Sequence, residues 1–357
     1  MDCVILVGGE GTRLRPLTYN TPKQMLKVAG VTMIDRVLYY LSKNSVTRAV
    51  LSLGYKPDKF LKAYPDSKAY GIELMYAVEP EPLDTAGAIR FAAKYAGFDS
   101  RFVVVNGDVM TDLSVLDLIG FHEKSDAVGT IALTPVLDPS RFGVVPTDDS
   151  GKVVAFIEKP DAATAPTNYI NAGTYVLENE VLDLIDSDRR VSIERETFPL
   201  LVKKSCLYGM PTDSYWLDLG TPQSLIKASC DILTLNYNDE LFSSIYSKCG
   251  NGNWIRNSVQ IPETASQSLF ESGLAFNPNS KINLTTFGVD CIIGNGAIVS
   301  ESIIGDGCKI GANVTIRNSI IGDNVTFKDN VTLIDCIIGD EAQLQEGEKM
   351  EQQRYPT

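Results

Sequence analysis

V-I-L-V-G-G-E-G-T-R-L-R-P-L-T-Y-N-T-P-K, residues 4–23, sets an apolar run against three glycines, then two arginines and a lysine. The run reads as a short buried strand, Asp2–Val7, and the glycines as its exit turn. Taken alone, such a turn is as readily a tight strand-to-helix connection as a ligand site. No G-K-[ST] follows, which excludes a Walker A loop, and Leu14 stands at the third glycine position of G-x-G-x-x-G, which excludes the dinucleotide fingerprint. What remains is Gly8, Gly9, Gly11 and Thr12 at a strand end, with Arg13 directly behind. Glycines let backbone N–H groups turn toward an anion and approach it closely. A guanidinium offers five fixed donors suited to phosphate oxygens. Pro16 and Pro22 stiffen the excursion and present Lys23 at a fixed place. A triphosphate fits this loop better than a neutral ligand does.

The whole chain frames that reading. Its 357 residues favour two domains. Hydrophobic content of 44% and charged content of 22% are ordinary for a core-forming protein. The net charge of −13 makes a surface that repels nucleic acid and anionic membrane, so neither is an expected partner. An anionic ligand then needs local positive charge. Arg13, Arg15, Lys23 and Lys27 supply it within fifteen residues, with Glu10 alone opposing them. No secretory leader pattern and no transmembrane-length run is visible, and a cytoplasmic protein is expected. Seven cysteines lie far apart without a C-x-x-C pair, which favours reduced, buried thiols over zinc or disulfides.

Residues 1–235 alternate strand-like and helix-like segments. Arg48–Leu53, Ile72–Val78 and Phe102–Val105 read as strands. Met33–Ser42 and the alanine-rich Thr85–Ala96 read as helices. The rhythm implies an α/β domain with a largely parallel, Rossmann-like sheet covered on both faces, whose ligands bind beyond the carboxyl ends of the strands. From about residue 281 the texture changes to I-I-G-N-G-A, I-I-G-D-G-C, K-I-G-A-N-V, I-I-G-D-N-V, T-F-K-D-N-V and I-I-G-D-E-A. Ile303, Ile320 and Ile337 begin equivalent hexads. An apolar residue followed by a small or turn-forming one every six residues is the pattern of a parallel β-helix. Residues 281–357 are assigned to it, and 236–280 to a linker and an irregular first coil.

G-G-E-G-T-R-L-R-P-L-T followed by P-K-Q-M-L-K-V-A-G resembles the signature of the sugar-1-phosphate nucleotidyltransferases, and the combination with a C-terminal repeat looks most like the GDP-mannose pyrophosphorylase branch. The resemblance covers nearly the whole chain. It implies a mixed, mostly parallel sheet followed by a left-handed parallel β-helix, and nucleotide binding by Leu6, Gly8, Gly9, Gly11, Thr12, Arg13, Glu79, Glu81 and Gly87. It implies catalytic roles for Arg13, Lys23, Asp108 and Asp218.

Other strand ends support it. V-V-V-N-G-D ends in Asp108, and Y-W-L-D-L-G-T-P delivers Asp218 before a helix with Thr221 as N-cap and Pro222 at its first position. Alone, N-G-D is as readily a turn. Beside a triphosphate, two such carboxylates suit Mg²⁺, which takes one or two carboxylates plus phosphate oxygens and water. F-I-E-K-P presents Glu158 and Lys159 at another strand end. Pro160 biases Lys159 toward extended backbone, and by the resemblance the pair meets the sugar and its phosphate. Gly143, Asn171 and Gly173 match further sugar contacts. Ordinary sheet positions remain the alternative for each of them.

The base falls to A-V-E-P-E-P-L-D-T-A-G, residues 77–87. Guanine shows two adjacent donors that a carboxylate accepts, so Glu79 or Glu81 implies GTP. Equally, both glutamates solvate a proline-rich turn. Asp84 departs from the branch pattern E-P-L-G-T-A-G, standing where a glycine is usual. Aspartate tolerates positive φ better than most residues. Thymidylyl, uridylyl or adenylyl transfer to glucose 1-phosphate is an alternative, as is a non-catalytic nucleotide-sugar-binding paralogue. Acyl transfer, found in other hexapeptide-repeat proteins, calls for a histidine base. The single histidine, His122, reads instead as a solvated imidazole on an amphipathic helix, Leu113–Glu123. The β-helix is then assigned to homo-oligomer assembly through its exposed edges.

Overall fold

The computed structural model describes every residue except 55, 56, 188, 258, 278 and 357. It separates into two compact units. One holds Met1–Gly9 with Val37–Trp216; the other holds Glu10–Arg36 with Leu217–Thr357. The opening signature is therefore shared out between them.

In the first unit, strand Asp2–Leu6 lies parallel between Arg48–Leu53 and Phe102–Asn106, and Ile72–Val78 extends the sheet in parallel. Phe102, Val103, Val104 and Val105 are all buried, as a central strand with both faces covered requires. Burial of each such side chain is worth about 1.5–3 kcal/mol. Beyond Phe102–Asn106 the sheet turns mixed. Strand Tyr169–Leu177 runs antiparallel to it and to Gly129–Pro135, while Leu207–Pro211 pairs parallel with Gly129–Pro135. The parallel core brings the residues that follow Leu6, Leu53, Val78 and Asn106 to one rim. Helices Asp84–Tyr95 and Val115–Lys124 cover the sheet.

His122 departs from expectation. It is fully buried, with Nδ1 2.8 Å from the Thr130 hydroxyl and Nε2 3.1 Å from a Glu178 carboxylate oxygen. It shares the inward stripe of its helix with Val115 and Leu118, and polar partners on the sheet satisfy both nitrogens. A polar residue type had concealed a core position.

In the second unit, strands stack in three parallel ladders whose register advances seventeen residues per coil, as in Ile303↔Ile320↔Ile337. Ile293, Ile304, Ile310, Ile316, Ile321, Phe327, Leu333 and Ile338 fill the interior. Asn313, Asn318, Asn324, Asn330 and Asp335 take positive φ, the conformation their short polar side chains tolerate best. Residues 236–280 contain helix Glu240–Ile245, and strands Asn253–Ile255 and Leu269–Phe270 already pair in parallel within one ladder. All seven cysteines are free; Cys3, Cys291, Cys308 and Cys336 are buried. Among the described residues, no helix is long and apolar enough to cross a membrane.

Candidate active site

The rim of the sheet unit is crowded by design of its glycines. A Cβ on Gly107 would stand 2.9 Å from the Leu6 carbonyl oxygen, so only glycine lets Asn106 and Asp108 flank the first strand this closely. A Cβ on Gly8 would lie 3.9 Å from Glu79 Oε1, and one on Gly54 would lie 4.0 Å from Gly8 Cα. Gly8 and Gly9 are exposed at this edge, and Leu6 pairs with Ser52 and Asn106. Glu79 is tied to its own turn: Ser52 Oγ donates to Oε1 at 3.0 Å and the Leu83 amide to Oε2 at 3.1 Å. Glu81 is exposed. Asp84 adopts φ +62°, the left-handed backbone a glycine would supply there. Gly87 is buried, and its amide, like that of Ala86, donates to the Val191 carbonyl, so these helix-start donors are already used within the fold.

On the antiparallel side, Glu158 is cross-strand partner of Gly143, and a Cβ on Gly143 would stand 3.1 Å from Glu158 Oε2. Lys159 Nζ lies 3.4 Å from Glu158 Oε1. The extended backbone expected at Lys159 is not found. Its φ is +51°, and its amide donates to the Phe142 carbonyl at 3.0 Å. That hydrogen bond outweighs the local bias of Pro160. It holds a non-glycine residue in sparsely populated backbone, a strain found often at functional sites. Asn171 donates to the Tyr175 hydroxyl and accepts from the Gly173 amide, each at 2.9 Å, across a bulge in its strand. Gly173, at φ +75°, leaves room for the Asn106 side chain. The buried Tyr175 hydroxyl has its pKa pushed up, first by burial and then by the charges of Glu194, Glu158 and Asp108. Glu194, Glu158 and Asp108 therefore act on one buried hydroxyl.

The loop unit assembles the cationic residues. Gly11, at φ +61°, opens a short helical turn Thr12–Leu14; a Cβ there would meet Thr18 Cγ2 at 3.0 Å and Lys23 Cβ at 3.2 Å. This close fold places Lys23, only 7% exposed, beside the glycine turn. Thr12 and Arg13 are exposed. A Cβ on Gly220 would stand 2.5 Å from Arg13 Nη2 and 2.6 Å from Asp218 Oδ1. Guanidinium and carboxylate thus close over the same glycine. The Gly220 amide donates to Asp218 Oδ1 at 2.6 Å. Thr221 and Ser224 form the capping box of helix Pro222–Leu233, which fixes the turn that carries Asp218.

Two of the four cations counted toward the anion site are otherwise engaged. Lys27 Nζ pairs with Asp306 of the β-helix at 2.8 Å, and Arg15 with Glu10 at 2.6 Å. Arg13 follows the glycine turn directly, and Lys23 packs against Gly11. Gly220 lay within the quoted D-L-G-T-P stretch, its signal being a glycine two residues after the aspartate. Nothing in the local sequence marked Arg354, whose Nη1 lies 3.5 Å from the Thr12 carbonyl oxygen and 3.3 Å from that of Arg15.

For a divalent metal, the donor chemistry fits a hard ion. Asp108 and Asp218 are half-buried carboxylates, and one Asp218 oxygen is held by a backbone amide. Among the described residues, no group of three or more His, Cys, Asp or Glu side chains is placed to hold a metal. Magnesium, which completes its shell from phosphates and water, needs no such cage.

The family described as "Nucleotidyl transferase" matches residues 2–234, and the "EIF2B subunit epsilon LbH domain", a left-handed β-helix, matches 270–354. Mannose-1-phosphate guanylyltransferase of Mycobacterium tuberculosis is 42% identical over 235 residues, 65% of this chain and 65% of the relative. The mannose-1-phosphate guanyltransferase of Candida albicans is 40% identical over 240 residues, 66% of this chain and 65% of the relative. The matched region thus spans just under two thirds of each of these curated relatives. Among solved structures, HddC from Yersinia pseudotuberculosis, known alone and complexed with GMP-PN, is 32% identical, with a TM-score of 0.55 over 64% of this chain and 97% of its own. With the glycine turn, the strand-end aspartates and most of its length within that match, the chain belongs to the nucleotidyl transferase family.

Proposed function

We propose that the protein transfers a nucleotidyl group from a nucleoside triphosphate, GTP by preference, to a sugar 1-phosphate, mannose 1-phosphate by preference, releasing pyrophosphate. The observation that carries this reading is the closure of Arg13 and Asp218 over Gly220, beside a glycine turn packed on Lys23. The names of the two curated relatives favour guanine and mannose.

The attacking group is a phosphate oxygen already ionised near neutral pH, so no general base is required. The P–O bond from sugar phosphate to the α-phosphorus forms, the α–β bridging P–O bond breaks, and pyrophosphate leaves with the electron pair. Two polyanions must be brought together, which makes positioning and electrostatics the main tasks. In this reading, Arg13 and the amides of Gly8, Gly9, Gly11 and Thr12 bind the triphosphate, and Lys23 and Lys159 hold the incoming phosphate. Glu158, Asn171, Gly143 and Gly173 contact the sugar. Lys159 must leave Glu158 to reach a phosphate, which frees Glu158 for sugar hydroxyls. Glu79 shapes the base turn and Glu81 extends from it; one of the two accepts from guanine, next to Leu6 and Gly87. Asp108 and Asp218 are the proposed Mg²⁺ ligands. Magnesium, when bound, neutralises phosphate charge.

Residues 1–235 are proposed as the catalytic part and the repeats from 281 as the assembly element of a cytoplasmic homo-oligomer, which light scattering tests directly. For the reaction, pyrophosphate release is measured for GTP, dTTP, UTP, ATP and CTP, each against mannose and glucose 1-phosphates. The expected result is fastest turnover with GTP and mannose 1-phosphate. Release with no pair would reject the enzyme, and release with dTTP alone would reject guanine.

A further inference from the structure

The phosphate-binding turn does not rest on its neighbours in sequence. Segment Glu10–Arg36 packs with Leu217–Thr357. Its anchors there are specific. Arg36 Nε donates to Asp239 at 2.5 Å with both side chains buried, and Arg36 Nη1 donates to the Val31 carbonyl at 2.6 Å. The Ala29 amide donates to Ser229 Oγ, and Gly30 admits the Tyr246 hydroxyl where a Cβ would collide with it. Lys27 pairs with Asp306. Pro16 Cγ sits 3.0 Å from where a Cβ on Gly339 would be. Between these anchors the packing is open: a cavity of about 140 Å³ is lined by Leu17, Met25 and Leu26 from the segment and by Phe287, Ile304 and Ile321 from the β-helix.

The last of these contacts bears on Arg13 itself. Strand Arg354–Tyr355 is the final rung of its ladder, paired in parallel with Ile337–Ile338. Its Arg354 guanidinium reaches the carbonyl oxygens of Thr12 and Arg15, which bracket Arg13. The Thr12 carbonyl closes the short turn Thr12–Leu14 by accepting from the Arg15 amide at 3.2 Å, and the Arg15 carbonyl follows directly after that turn. A cation near the carboxyl end of a helical turn adds a donor to its carbonyl oxygens and complements its dipole. We propose that Arg354, on the terminal coil of the β-helix, is a positioning residue for nucleotidyl transfer: it fixes the backbone on both sides of Arg13 so that the guanidinium stays over Gly220 beside Asp218. The β-helix then does more than assemble subunits; its last coil is part of the machinery that orients the triphosphate.

This rests on the role proposed for Arg13, and the test separates the two. Full-length wild type, Arg354→Ala, Arg354→Lys and Arg354→Gln are assayed for pyrophosphate release, alone and combined with Arg13→Lys. Arg354 is exposed, so melting temperatures are expected to stay close to wild type. The expected result is a kcat about five- to tenfold lower for Arg354→Ala and Arg354→Gln, an unchanged KM for the sugar 1-phosphate, and substantial recovery in Arg354→Lys. In the Arg13→Lys background the same Arg354 changes are expected to cost less than about twofold, because a residue that acts through Arg13 has nothing left to position. Wild-type kcat in Arg354→Ala, or an equal loss in both backgrounds, overturns the positioning role while leaving the reaction intact. An inactive wild type overturns the reaction itself.

Discussion

The two units hold their candidate residues by different means. On the sheet unit, most are fixed from close by. Glu79 is held by Leu83 of its own turn and by Ser52 on the adjoining strand, Asn171 by Gly173 and Tyr175, and Lys159 by Glu158 next to it. On the loop unit, Arg13 and Asp218 both border Gly220, Lys27 meets Asp306, and Arg354 reaches Thr12 and Arg15 across more than three hundred residues of chain. The sheet places its candidate residues at strand ends that its hydrogen-bond register already aligns. The loop has one short ladder, Lys27–Val28 with Val31–Thr32, and takes further contacts from the far end of the chain. Damage to the first kind of support should be local, and damage to the second should travel.

That contrast is open to test. The largest effect is expected from Arg13→Ala or Lys23→Ala, with turnover falling at least about a hundredfold, the scale for losing one key electrostatic donor; a rate near wild type in purified protein would remove the loop unit from the chemistry. Gly220→Ala puts a methyl 2.5 Å from Arg13 Nη2 and 2.6 Å from Asp218 Oδ1. It should lower kcat at least about tenfold by displacing a catalytic group, and kinetics indistinguishable from wild type would mean that Arg13 works from another position. Lys159→Ala is expected to raise KM for the sugar 1-phosphate about tenfold, with a smaller change in KM for the nucleotide. The reverse pattern would assign Lys159 to the triphosphate.

The smallest effect concerns the sheet unit's own stability. Burial lowers the pKa of His122, against the opposing pull of Glu178. In the same cluster, Arg101 and His122 keep the Glu178 carboxyl below its ordinary range despite burial. Both shifts make the unfolded chain bind more protons than the folded one. The stability they confer is therefore present above the ordinary pKa of each group, about 6.5 for the imidazole and about 4.3 for the carboxyl, and is lost as pH falls from there through the lowered value of the folded state. A melting-temperature series from pH 8 to 5 should fall by a few degrees at its acid end, and His122→Gln should flatten that slope. An identical slope in the variant would show that the imidazole is not the group responsible.

Strand and helix positions in the sheet unit were largely legible because local pattern and global burial agree there. Arg48–Leu53 and Ile72–Val78 appear with the ends read from the sequence, and Asp84 takes the positive φ that its place in a glycine pattern calls for. The seventeen-residue repeat was legible for the same reason, since each hexad places one inward side chain. Where reading failed, a distant partner prevailed over a local preference. Thr130 and Glu178 accommodate a histidine in the core, the Phe142 carbonyl turns Lys159 left-handed ahead of a proline, and Asp306 occupies Lys27.

The sequence by itself determined the repertoire: a parallel sheet with chemistry at its strand ends, a stack of hexapeptide coils, and a short list of cations and carboxylates suited to phosphate. Pattern, turn chemistry and composition act over a few residues, so one chain suffices to read them. Which of those groups meet was decided only by the tertiary structure. It divides the opening signature between two packed units, spends Lys27 and Arg15 on ion pairs, and brings Arg354 from the last coil to the turn that carries Arg13. Such pairings depend on how far apart folded segments end up in space, and no local preference along the chain encodes that distance.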